Sequence, residues 1–182
     1  AYGARVWLGS VAGMLTGRLG QLLLVPLSDA RQAGLYVVAI TISDVLYIVT
    51  TAVRDALFGT TSRTDDREGL LLASRVALLL SAAGAAVLAV TLPLWIGPVF
   101  GSGFTAAVVP TWWLLAAAVT NVPGLMAGAG LAAWGRPGLR SASTVVALVT
   151  NLAAFLLLVP GYGATGAAAA GVVTGFAVSG FT

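Results

Sequence analysis

Cysteine, histidine and lysine are absent from this chain of 182 residues, and charge is scarce, with nine basic and six acidic side chains making 8% of the total. Each absence removes a class of function. Without cysteine there is no disulfide framework, and without cysteine or histidine there is no thiolate or imidazole metal site. Without histidine neither a rhomboid-type Ser–His dyad nor an HExxH zinc helix can be built, and without lysine a GxxxxGK[ST] phosphate loop cannot form. An aspartyl intramembrane protease needs two carboxylates, and only Asp44 sits inside an apolar run. Catalysis is therefore not expected, nor is a metal or any other cofactor. The formal charge of +3 carries no nucleic-acid signal, because the arginines other than Arg18 fall at the ends of apolar segments or between them. Soluble domains are about 25% charged, so the shortage also argues against water as the solvent for most of the chain.

What the sequence does contain is apolar length. Hydrophobic residues make up 59% and the mean hydropathy is +1.00. No charged residue occurs from 76 to 135 or from 141 to 182. One helix needs only ~20 apolar residues to cross ~30 Å of hydrocarbon. Runs such as 76–80, 82–90 and 114–119 do not alternate apolar with polar, which favours helices over a membrane β-barrel. The first apolar stretch is too long for a signal-peptide core and has no small-residue cleavage site behind it. An all-α membrane protein is expected, a single bundle over 1–182 with spans near 6–27, 34–53, 70–96, 109–134, 141–159 and 164–182. Between them lie a polar loop at 59–68, a Gly/Pro cluster at 97–103, Gly135-Arg136-Pro137-Gly138 and Pro160-Gly161-Tyr162-Gly163.

Arginine placement orients this bundle. If loops alternate sides, Arg5, Arg54, Arg63, Arg67, Arg75, Arg136 and Arg140 share one side, Arg31 alone takes the other, and Arg18 falls inside a span. That bias puts both termini in the cytoplasm. Trp7, Trp95, Trp112 and Trp134 fall near span ends, where indole prefers the interface. Gly124, Gly128 and Ala132, and again Ala167, Gly171, Gly175 and Ser179, recur every four residues as small ridges on which helices pack closely in lipid. Asn151, alone in its span, is expected to make an interhelical hydrogen bond. Arg63, Asp65, Asp66, Arg67 and Glu68 read as a solvated cytoplasmic loop.

Two charges lie deep in apolar sequence, Arg18 and Asp44, each costing at least ~2.5–3.5 kcal/mol at a helix centre unless paired or wetted. Arg18 stands 13 residues before Arg31 and Asp44 stands 13 after it, so a hairpin centred there sets them at similar depth. Thr41, Asp44, Tyr47 and Thr51 step along one face of the second span, and Ser10, Arg18 and Gln21 along one face of the first. Such stripes suit a bundle interior or a water-filled cavity. Arg18, Gln21, Thr41, Asp44 and Tyr47 are the candidate substrate-path residues, with an Arg18–Asp44 clamp that only fixes helix register as the structural alternative.

Several segments resemble one family. Gly17-Arg18-Leu19-Gly20-Gln21-Leu22-Leu23-Leu24 is similar to an Arg-x-Asp-x-x-x-Leu helix, with Gly20 where that family often has Asp. Ala33-Gly34-Leu35-Tyr36-Val37-Val38-Ala39 resembles a Gly-x-Tyr-x-x-Ala helix start, with Asp44 where an acidic residue usually follows. Leu94-Trp95-Ile96-Gly97-Pro98-Val99-Phe100-Gly101, with Phe104 and Ala106, resembles a helix junction, and Gly59 stands where a proline often follows Leu-Phe. Val159-Pro160-Gly161-Tyr162-Gly163-Ala164-Thr165-Gly166-Ala167-Ala168 is similar to the start of a last helix. In order and spacing these resemble the bacterial polysaccharide-exporting, lipid-linked oligosaccharide flippases, of the superfamily that also holds multidrug/toxin extruders.

The resemblance implies the second six-helix half, one lobe of a twelve-helix MATE-like transporter in the bacterial cytoplasmic membrane. The N-terminal half would be a partner absent from this chain. A start at Ala1 and an end in an apolar run fit that expectation of a fragment. The implied substrate is an undecaprenyl-pyrophosphate-linked glycan, flipped by alternating access, with Arg18 as a phosphate ligand and Asp44 as its holder or a proton carrier. Alternatives are a drug/cation or lipid-precursor exporter of the same superfamily and a non-transporting membrane protein of envelope assembly.

Overall fold

A computed structural model describes residues 23–61, 67–133 and 137–181, together with Trp7, Val11, Met14, Arg18 and Gly20, which are all helical. Four elements dominate: α1 (Ala30–Thr61), α2 (Arg67–Phe100), α3 (Val108–Ala133) and α4 (Pro137–Phe181), with a 3-10 segment, Ser102–Ala107, between α2 and α3. Four helices are long and apolar enough to cross a membrane, in the windows Ala30–Val53, Leu71–Phe100, Ser102–Gly128 and Gly138–Gly180. Their outward faces carry Leu79, Val90, Leu94 and Leu157, each more than two-thirds exposed. Apolar area of that extent is a surface built for lipid rather than water.

The breaks between helices have local causes. Ser28 N donates to the Leu24 carbonyl at 2.9 Å, and Asp29 then caps α1, its Oδ1 accepting from Gln32 N at 2.7 Å. This cap starts α1 at Ala30 rather than 34, and the helix runs on to Thr61 rather than 53. Pro93 and Pro98 do not end α2; the chain breaks at Gly101, whose φ of 97° only glycine adopts freely. Pro93 has no N–H, so the Ala89 carbonyl loses its donor within the helix, and Trp112 Nε1–H supplies one from α3 at 3.0 Å. In lipid such a replacement matters, because no water is at hand to satisfy the freed oxygen.

The last helix is two arms. Gly163 interrupts it with φ 54° and ψ −130°. Asn151 Nδ2 donates to Thr174 Oγ1 at 3.0 Å. In a straight helix these residues would stand ~35 Å apart at 1.5 Å per residue, so the chain folds back at the break. The interhelical bond expected of Asn151 is present, and its partner is the second arm.

Packing fixes directions. Thr50 and Ser81 share a hydroxyl hydrogen bond of 2.7 Å and Leu46 lies against Gly84, so α1 and α2 are antiparallel. Leu46 packs with Leu115, and Val53 packs beside Val122, so α1 and α3 are parallel. Glycines of both small-residue ridges lie in the seam between α3 and the second arm of α4. Gly171 faces Ala117, Gly175 faces Asn121 and Gly124 faces Val178, each pair 54 residues apart, so α3 and the second arm of α4 are parallel in a constant register. Gly128 meets nothing within 4 Å.

Three turns gather at one end. Gln32 of α1 bonds Ala164 at the α4 break, and Gly34 lies next to Phe104 of the 3-10 segment. The main core sits near this end and joins Leu24, Tyr36, Leu92, Ile96, Phe155, Val159 and Ala168. Residues 62–66 and 134–136, most of 1–22, and Thr182 lie outside the described residues.

Candidate functional site

The inner face of α1 is Leu35, Tyr36, Val38, Ala39, Ile42, Ser43, Leu46 and Thr50, all buried. At 100° per residue the polar positions Thr41, Asp44, Tyr47 and Thr51 fall within about a third of the helix circumference on the opposite side. Thr41 and Asp44 are exposed and Tyr47 is 56% exposed. The structure therefore brings the three described α1 candidates, Thr41, Asp44 and Tyr47, onto one face, as their spacing indicates.

That face points away from the packed helices. The polar stripe was expected to face a bundle interior or a water-filled cavity, and of these the interior of this bundle is not what it meets, because it lies on the outside of the chain. The reason is steric and chemical. The interior beside α1 is already filled by its buried apolar side and by α2 and α3, with small residues closing the gaps.

The threonines need nothing from outside. Thr41 Oγ1 donates to the Val37 carbonyl at 2.8 Å and Thr51 Oγ1 to the Tyr47 carbonyl at 3.0 Å. Hydroxyls satisfied within their own helix are compatible with lipid as well as with water. Asp44 differs, because an ionised carboxylate in an apolar window needs a cation, a donor or water. The electrostatic demand of this face is thus concentrated in one residue.

The second half of the expected site is displaced. A Cβ at Gly20 would run into the Tyr36 ring, so Gly20 and Tyr36 sit face to face across the hairpin. The turn is therefore at Ser28 and Asp29, not near Arg31. Arg18 then stands level with about residue 38, some six residues short of Asp44, or ~9 Å along the axis at 1.5 Å per residue. The equal depth expected from the count about Arg31 does not hold. Arg18 is helical and exposed, and Gln21 lies outside the described residues.

No family model, curated protein or solved structure matches this chain. The site rests on its own chemistry. Among the described residues no group of His, Cys, Asp or Glu is placed to hold a metal ion.

Three contributors escaped the sequence reading. Gln32, Trp112 and Asn121 each send a side chain to a carbonyl or N–H of another helix; Asn121 Nδ2 donates to the Ala117 carbonyl at 2.7 Å and reaches the Gly171 carbonyl at 3.5 Å. Pro93 did signal a freed carbonyl four residues back, but nothing local names the residue that comes to it.

Proposed function

We propose that this chain is one lobe of a membrane transporter that moves a lipid-linked anionic glycan across the bacterial cytoplasmic membrane. The observation that carries the reading is the Asp44 face of α1, a charged and hydroxyl-bearing surface exposed on the chain yet set within an apolar window. A charge held at such depth is expensive on lipid and is rational where a second lobe and water meet it. The family resemblance of the flanking motifs supports the same substrate class. In this reading the count of six spans takes the apolar segment 6–27 as one and the two arms of α4 as two, beside α1, α2 and α3.

Among the described residues the turn-rich end carries Arg31, while Arg54, Arg67, Arg75 and Arg140 lie toward the other end; in this reading the positive-inside rule puts that second end and both termini in the cytoplasm. Arg18, Gln21, Thr41, Asp44 and Tyr47 are the path residues in this reading, with guanidinium suited to pyrophosphate oxygens. The chain acts without catalysis and without a cofactor.

One observation favours a second reading. Asp44 and Tyr47 lie together on the exposed face, and a carboxylate beside an aromatic ring is chemistry for a cation. A drug or cation exporter of the same superfamily would use that pair directly.

The test uses cells depending on the full-length transporter, with Arg18→Ala, Asp44→Ala and the double variant at normal membrane levels. Glycan flipping predicts that the double variant accumulates lipid-linked glycan on the cytoplasmic leaflet. A pure register clamp predicts recovery of export when both charges go, because replacing a buried ion pair by apolar groups is often neutral. Normal export by the double variant would end the substrate-path reading. Loss of cation efflux with intact glycan export would move the assignment to the second reading.

A further inference from the structure

One side chain at the turn-rich end joins hairpins 132 residues apart in sequence. Asp29 caps α1 and places Gln32 in the first turn. A glutamine at this position of a capping box ordinarily folds back to the cap's own N–H. Here Gln32 Oε1 instead accepts from Ala164 N at 3.0 Å. Ala164 opens the second arm of α4 and is 1% exposed, so its N–H is a helix-start donor away from solvent. Gly163 makes the contact possible. Its φ is 54°, and a Cβ there would lie 2.6 Å from Gln32 Oε1 and 2.7 Å from Gln32 Cδ.

The surroundings give this bond a place in a seam. Directly behind it Leu35, Ala167 and Ala168 are buried in the shared core. Further from the turns, α1 and the second arm are each held by α3, through Leu46 and Val53 on one side and Gly171 and Gly175 on the other. The two helices are thus joined directly at the turn end and through a third helix elsewhere.

We propose that Gln32 is a latch. Its bond to the Ala164 N–H holds the seam between α1 and the second arm of α4 shut at the turn end, and breaking it opens that end locally to water while the rest of the bundle stays packed. The latch does not depend on which substrate, if any, the chain carries.

The natural absence of cysteine provides the assay. A reporter cysteine replaces Ala168, which is fully buried behind the latch, and a control cysteine replaces Ala77, buried against Val122 and Met126 far from it. Labelling by a water-soluble maleimide in membranes reports the open population at each place. Gln32→Met keeps the length but removes the acceptor, and labelling at 168 should rise by roughly tenfold or more, as expected when a buried donor loses its partner. Labelling at 77 should not change. Gln32→Glu keeps an acceptor at a helix N-terminus and should label no faster than the parent chain. Equal rates for Gln32→Met and the parent overturn the latch. An equal rise at both reporters also overturns it, because that is general loosening, and so does a rise in Gln32→Glu matching that in Gln32→Met.

Discussion

Gly175 and Gly128 look alike in the sequence, each a small residue in a four-residue ridge, yet the packing separates them. A Cβ on Gly175 would lie 2.6 Å from Thr120 Oγ1, 3.1 Å from Asn121 Nδ2 and 3.2 Å from the Thr120 carbonyl carbon, while one on Gly128 meets nothing within 4 Å. Thr120 Oγ1 is no flexible tip, because it is short and tied to the Ala117 carbonyl at 3.1 Å. Room for a methyl group at 175 therefore requires α3 and the second arm to separate. Overpacking of this kind costs about 1–3 kcal/mol. Both substitutions to alanine share the helix-propensity gain of up to ~1 kcal/mol, so their difference isolates the contact. Gly175→Ala should fall about 1–3 kcal/mol below Gly128→Ala in stability, a five- to 150-fold difference in the unfolding equilibrium. Unfolding by SDS titration in mixed micelles, followed by tryptophan fluorescence, measures it. Thr120→Ala in the Gly175→Ala background should recover part of the loss by removing the closest atom. Equal midpoints for the two glycine variants would refute the parallel register of α3 and the second arm.

Two further outcomes follow from the fold. Trp112→Phe should cost ~1–3 kcal/mol by orphaning the Ala89 carbonyl, and much less in a Pro93→Ala background, where residue 93 again supplies the helical N–H; a double-mutant cycle of unfolding energies checks this, and equal costs in both backgrounds would contradict it. Single cysteines at Ser102 and Tyr162 should be labelled from the same side of the membrane and one at Gly138 from the other, because the first two lie in turns that share an end; labelling of 138 and 102 from one side would break the arrangement of spans.

Legibility in the sequence followed the range of the forces involved. Charge-free length announced the membrane helices, and four-residue spacing of Gly and Ala announced the ridges, since both are properties of one segment in its solvent. The packing of Ala117, Asn121 and Gly124 on Gly171, Gly175 and Val178 depends on tertiary register, which no single ridge contains. Helix ends were misplaced where a cap or a glycine decided them. Asp29 begins α1 early, and α2 passes through Pro98 because a proline removes only one donor and its exposed ring points away from the core. The α1 polar stripe was legible from its period alone. Its outward direction was not, because a period gives the width of a face and never says what covers it. The Arg18–Asp44 depth match failed for a local reason, the turn at Ser28 and Asp29 being set by a cap rather than by the nearest charge.

Whether the Asp44 face meets water or lipid is the question on which transport stands. Spin labels on single cysteines at Thr41, Tyr47 and Thr51, with reference labels at Val90 and Leu94 on the exposed apolar face of α2, answer it by relaxation with a water-soluble nickel chelate and with oxygen, measured on the full-length protein in bilayers. A path-lining face gives strong nickel contact at 41, 47 and 51 and oxygen-dominated contact at 90 and 94. The same oxygen-dominated signature at all five positions would place the α1 stripe against lipid and contradict the transport reading.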